Sequence, residues 1–107
     1  MNRVGFYFKV KPELLEEYKA QHRNVWVEIQ EALRRTGWHN YSIFARPDGL
    51  LFGYFETPES LDAARAGMAN EEANARWQAL MAPYFEPLGS LRPDESMLEL
   101  EEIFHLD

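Results

Sequence analysis

Two periodicities alternate along this chain, and their order restricts the fold more than any single motif does. Residues 3–10, RVGFYFKV, put Val4, Phe6, Phe8 and Val10 on one side and Gly5, Tyr7 and Lys9 on the other, which is the period of a strand. From Pro12 to Arg35 the apolar spacing changes to steps of three and four: Leu14/Leu15, Tyr18, His22, Val25/Trp26, Ile29 and Leu33. Pro12 suits a first helical turn, Glu13, Glu16 and Glu17 suit its dipole, and Arg34 and Arg35 with Gly37 suit its end. HNYSIFARPDGLLFGYFET then reads as a hairpin. Tyr41, Ile43 and Ala45 share a face, RPDG forms the turn, and Gly53 marks a bulge or a close approach. TPESLDAARAGMANEEANARWQALMAPYF reads as a helix in two pieces, the first capped by Thr57 with Pro58 at its start and the second by Asn70. Met68, Ala75, Leu80 and Met81 are expected to face the core. EPLGSLRPDES reads as a long loop. MLELEEIFHL closes the chain as a strand, with Leu98, Leu100, Phe104 and Leu106 on one parity and Glu102 interrupting them.

The order β-α-β-β-α-β is the ferredoxin-like plan, an α+β fold with an antiparallel sheet and both helical segments on one face. With 107 residues the chain is expected to form one domain, 1–107, around a single core. The second sheet face is apolar and has nothing in the chain to cover it. A homodimer, closing two sheets into a dimeric α+β barrel, is therefore expected. Fifteen aromatic residues (three Trp, five Tyr, seven Phe) exceed what so small a core needs, so an interface or a site for a ring-shaped ligand is expected as well.

Charge and composition narrow the partners. A net charge of −7 with no basic run disfavours nucleic acid and anionic membrane surfaces. The absence of cysteine removes disulfides, thiolate metal sites and cysteine nucleophiles. MNRVGFYFKVKPE is too short and too charged for a signal peptide, and no apolar run approaches a bilayer span. The expected location is the cytoplasm.

Few side chains remain that can do chemistry. His22 lies on the apolar side of its helix, one turn from Tyr18. It reads either as a core histidine bonded to a carbonyl or carboxylate, or as a group that moves protons near neutral pH. Trp26 and Trp77 read as core or interface residues, or as flat surfaces for a sugar ring; Arg76 beside Trp77 offers donors to hydroxyl or carboxylate oxygens. His22, His39 and Glu102 lack local metal-ligand spacing. No phosphate loop or nucleophile elbow is present. Neither a cofactor nor a metal is expected.

EEYKAQH before a tryptophan-bearing helix, HNYSIF in the second strand, ARW in the later helix and LEEIF near the end occur in an order that resembles the L-rhamnose mutarotase family over nearly the whole chain. The resemblance implies small dimeric ferredoxin-like enzymes that interconvert the α and β anomers of a deoxy-hexose. It implies that His22 is the general acid and that Tyr18, Tyr41 and Trp77 contact the sugar. It also exposes departures: Gln78 where the family often has a second tryptophan, Leu61 where another tryptophan can occur, and RNVWVE where prolines commonly flank the tryptophan. On this reading His22 protonates the ring oxygen, Tyr18 orients the sugar or hydrogen-bonds His22, and Trp77 forms a wall. The base is open among Tyr41, Glu102, a backbone carbonyl and water. The alternative is a dimeric α+β barrel monooxygenase or a small-ligand-binding module.

Overall fold

A computed structural model describes residues 1–86 and 92–107. Its elements run β1 (Asn2–Lys9), α1 (Leu15–His22), α2 (Val27–Arg35), β2 (His39–Ala45), β3 (Leu50–Thr57), α3 (Leu61–Ala69), α4 (Glu72–Met81) and β4 (Leu98–Leu100), with 3-10 turns at Pro12–Leu14, Ala82–Tyr84 and Pro93–Ser96. The four strands form one antiparallel sheet in the order β2-β3-β1-β4. Val4, Phe6 and Phe8 of β1 and Leu51 and Phe55 of β3 enter a single core with Leu15 and Tyr18 of α1, Ile29 and Ala32 of α2, Leu61, Ala64 and Met68 of α3, and Trp77 and Met81 of α4. One parity of the strands thus meets all four helices. The opposite parity leaves Tyr7, Phe44, Phe52, Leu98 and Leu100 exposed.

The first helical segment is not continuous. α1 closes with 3-10 bonds from Arg23 N to Ala20 O and from Asn24 N to Gln21 O, and α2 restarts at the carbonyl of Trp26, whose own backbone is extended. Asn24 and Val25 are weak helix formers. The break also brings the Trp26 ring to 5.1 Å from Trp77. α2 ends as the sequence suggests: Gly37 has φ +94°, and bonds from Gly37 N to Arg34 O and from Trp38 N to Leu33 O complete a Schellman motif.

Other boundaries move for identifiable reasons. Thr57 is the last residue of β3, opposite Asn2, and Ser60 caps α3 instead by accepting from Ala63 N at 3.1 Å. Asn70 ends α3, and Glu71 precedes α4. Ala75 and Leu80 face outward; α4 buries Asn74, Trp77, Gln78 and Met81. The final strand is only three residues long, with Leu98 opposite Tyr7 and Leu100 opposite Gly5. Its ladder stops where Glu101 and Glu102 follow, and Arg3 holds Glu102 through its side chain. Phe104 and Leu106 are exposed beyond it. The expected long loop falls partly on residues 87–91, outside the described residues; its end is the turn Pro93–Ser96.

Gly53 sits opposite Phe6 in the β1–β3 ladder. A Cβ there would lie under 3.0 Å from three atoms of the Phe6 ring, so this glycine marks a close approach. The bulge lies elsewhere, between His39 and Ser42 in β2, where Asn40 takes a positive φ. Gly53→Ala is expected to lower stability by about 1–3 kcal/mol, because the fully buried Phe6 ring cannot retreat. Urea unfolding monitored by tryptophan fluorescence measures this, and an unchanged midpoint would refute it.

Candidate active site

Helix α1 places Tyr18 and His22 one turn apart on the side that packs into the protein, so their rings meet with centroids 4.2 Å apart. His22 Nδ1 lies 2.9 Å from the Tyr18 carbonyl oxygen. A carbonyl can only accept, so Nδ1 carries the hydrogen and the lone pair of the neutral ring falls on Nε2. Burial lowers the imidazole pKa below its ordinary value, and the Nδ1 bond opposes that shift in part. One nitrogen of His22 is thus tied to the backbone as in a core histidine, and the other has no hydrogen-bond partner among the described residues.

Around it, α4 supplies Trp77, edge-on to His22 at 5.6 Å, and β2 supplies Tyr41, packed against Trp38, Phe55 and Phe6. Burial pushes the phenols of Tyr18 and Tyr41 well above the ordinary tyrosine value, with the neighbouring Tyr18 and Asp94 adding to the effect at Tyr41. Both therefore stay protonated donors at neutral pH. Tyr18, His22, Tyr41 and Trp77 share a recess of about 60 Å³, which meets a broad cleft of about 1480 Å³. His22, Tyr41, Trp77, Gln78 and Asp94 line both.

The other residues considered from sequence do not join this group. Arg76 points to solvent, paired with Glu28 at 3.0 Å and stacked over Trp26 at 5.7 Å. Glu102 is bound to Arg3 at 2.9 Å and lines neither cavity. His39 lies in β2 and reaches only the broad cleft. Among the described residues no three His, Asp or Glu side chains gather as metal ligands.

Sequence reasoning missed a buried polar cluster. Asn74 Nδ2 donates to Asp94 Oδ2 at 2.9 Å and to Met68 O at 3.2 Å. Gln78 Nε2 donates to Asn74 Oδ1 at 3.0 Å, and Gln78 Oε1 accepts from Asp94 N at 3.1 Å. Arg92 Nη2 adds a bond to Asp94 Oδ2 at 3.3 Å. Asp94 Oδ1 is buried and has no partner among the described residues. A buried acceptor left unpaired costs on the order of 1–3 kcal/mol, and more when charged. The signal was present in α4: residues 74, 77, 78 and 81 follow the helical step, and two of the four are amides. Nothing local to RPDES marks Asp94.

The site has donors in two phenols, a titratable imidazole, a carboxyl group and an indole wall. These groups can donate and accept hydrogen bonds and, through the imidazole and the carboxyl group, exchange protons. A family profile described as L-rhamnose mutarotase matches residues 3–106. The L-rhamnose mutarotases of Oceanobacillus iheyensis and Tolumonas auensis are 33% and 38% identical, the first over 100% of both chains and the second over 99% of both. The crystal structure of an L-rhamnose mutarotase from Formosa agariphila superimposes with a TM-score of 0.78 at 27% identity, covering 100% of each chain. The chain belongs to the L-rhamnose mutarotase family.

The depressed His22 pKa has a consequence for stability. The unfolded chain binds this proton more readily than the folded one, so the contribution of the neutral ring is complete above its ordinary pKa of 6.5 and is lost as pH falls through the lowered value. Between about pH 7 and about pH 5 the wild type is expected to lose more stability than His22→Gln. Paired urea titrations measure the difference, and parallel losses would contradict it.

Proposed function

We propose that the chain, an isomerase of the mutarotase type, interconverts the α and β anomers of L-rhamnose by proton transfers centred on His22. The observation that carries this reading is the convergence of Tyr18, His22, Tyr41 and Trp77 on one recess in a chain whose full length matches the family. Mutarotation needs a proton delivered to the ring oxygen and one removed from the anomeric hydroxyl. The ring then opens to the aldehyde, the C1–C2 bond rotates and the ring recloses. Positioned acid–base catalysis worth about 10²–10⁴-fold suffices for such a step. In its protonated, imidazolium form His22 donates to the ring oxygen through Nε2, since Nδ1 is committed to the Tyr18 carbonyl. Tyr18 and Tyr41, held protonated, hydrogen-bond sugar hydroxyls, and Trp77 packs against the ring's apolar face. Family membership favours this over the monooxygenase alternative.

The strand order β4-β1-β3-β2 and the placement of all four helices on one side support the ferredoxin-like description. On the open side, Tyr7, Phe44, Phe52, Leu98 and Leu100 form an apolar sheet face that a second copy would cover, giving a homodimeric α+β barrel. No described helix is long and apolar enough to cross a membrane, and a chain without cysteine suits the reducing cytoplasm.

Saturation-transfer NMR on equilibrated α/β L-rhamnose tests the chemistry. His22→Ala is expected to slow enzyme-dependent exchange about 10²–10⁴-fold, and exchange as fast as wild type would sink the assignment. L-rhamnose is expected to exchange faster than L-fucose or a pentose; a reversed order would reassign the substrate. Sedimentation tests the assembly: the wild type should run as a dimer and Phe52→Glu as a monomer, whereas a monomeric wild type at micromolar concentration would remove the dimer.

A further inference from the structure

The reaction requires a base at the anomeric hydroxyl, and the side chains weighed from sequence do not provide one. Burial keeps the Tyr18 and Tyr41 phenols protonated. Glu102 is paired with Arg3 and lines neither cavity. We infer that Asp94 is the general base, its Oδ1 accepting the proton of the anomeric hydroxyl while His22 donates to the ring oxygen. This inference rests on the mutarotase reading and deepens it.

Three observations carry it. Asp94 lines both the recess and the cleft together with His22, Tyr41 and Trp77. Its backbone and one carboxyl oxygen are clamped: N donates to Gln78, and Oδ2 accepts from Asn74 and Arg92. The clamp fixes which oxygen remains, and that oxygen, Oδ1, is buried without a partner among the described residues. A carboxylate oxygen can only accept, so the missing partner is an O–H or N–H donor. A sugar hydroxyl is such a donor.

The chemistry selects which hydroxyl. In its protonated form His22 can give a proton only through Nε2, because Nδ1 is held by the Tyr18 carbonyl, and Asp94 Oδ1, without a donor among the described residues, is placed to take one. His22 is then the acid and Asp94 the base. The His22 Nε2 proton moves to the ring oxygen, the C1–O5 bond breaks, the anomeric O–H gives its proton to Asp94 Oδ1, and C1=O1 forms. After rotation about C1–C2 the transfers run backward, the new C1–O5 bond forms and both residues regain their starting states. Protons and electrons balance with no further reactant.

Anomer exchange measured by saturation-transfer NMR on Asp94→Asn is expected to fall about 10²–10⁴-fold in kcat, while KM for L-rhamnose changes less than about threefold. Asp94→Ala should be equally slow and should regain activity with formate at about 0.1 M, since the small carboxylate can enter the space left. Near-UV circular dichroism and L-rhamnose calorimetry check that both variants keep the site. In the wild type, 1,5-anhydro-L-rhamnitol, which keeps the ring oxygen and lacks the anomeric hydroxyl, should bind about tenfold or more weakly than L-rhamnose. Wild-type exchange in Asp94→Asn, or equal binding of the two ligands, overturns the role of Asp94 and leaves the mutarotase reading intact. A folded but slow Asp94→Ala that ignores formate also overturns it in favour of a structural role. A wild-type protein that does not exchange L-rhamnose anomers removes the underlying reading instead.

Discussion

Phe6 holds this molecule together at its centre. It belongs to β1, which pairs with both β3 and β4, and its ring is fully buried over a glycine of β3. Four aromatic rings surround it: Phe8, Trp38, Tyr41 and Phe55, with centroids 5.7–6.3 Å away. Tyr41 reaches the recess from this cluster, backed by rigid rings instead of mobile aliphatic chains. Trp38 extends the same cluster to α3 by donating from Nε1 to Ala64 O at 3.2 Å. The Phe6–Gly53 contact is thus the link between the sheet, one helix and one wall of the site.

A second support is polar. Apolar residues of similar volume at Asn74, Gln78 and Asp94 would give a simpler core, since replacing a fully bonded buried polar set by such residues is often neutral or stabilising. Retaining the set, with one carboxyl oxygen unmatched among the described residues, makes sense where the geometry itself is useful. The turn Pro93–Ser96 that carries Asp94 has little hydrophobic weight of its own. Its position depends on Gln78 and Asn74 from α4, on Glu95 closing a box with Arg92 at 2.7 Å, and on Arg65 of α3 bonding Met97 O at 3.1 Å. Two helices therefore set the placement of one carboxyl group.

Periodicity carried much of the fold. The alternation in RVGFYFKV corresponds to the observed burial of Val4, Phe6 and Phe8, and Gly37 and Gly49 stand at positive φ in the cap and the turn. The i,i+4 spacing of Tyr18 and His22 sufficed to put their rings together. What escaped was set by competition between elements. The break after His22 depends on Trp26 finding Trp77, a contact across 51 residues that no local spacing encodes. Thr57 has the chemistry of a helix cap, yet the β1–β3 ladder claims it. Phe104 and Leu106 keep strand parity, but the ladder to β1 ends at Leu100. Asp94 lay in a segment with turn composition, and its role is visible only once α4 is seen to bury amides.

Leu61 and Gln78, two of the three departures from the family pattern that the resemblance implies, are not equivalent in space. Leu61 is the first residue of α3, 1% exposed in the apolar core, and it lines neither the recess nor the cleft. A leucine there changes packing behind the site. Gln78 lines both cavities and bonds simultaneously to Asn74 and to the backbone of Asp94. An indole has no acceptor and could not take the Asp94 N–H. The glutamine therefore exchanges ring-stacking area for control over the segment that bears the carboxyl group. Any difference in sugar preference from the family pattern should arise at Gln78, through the position of Asp94, and not at Leu61.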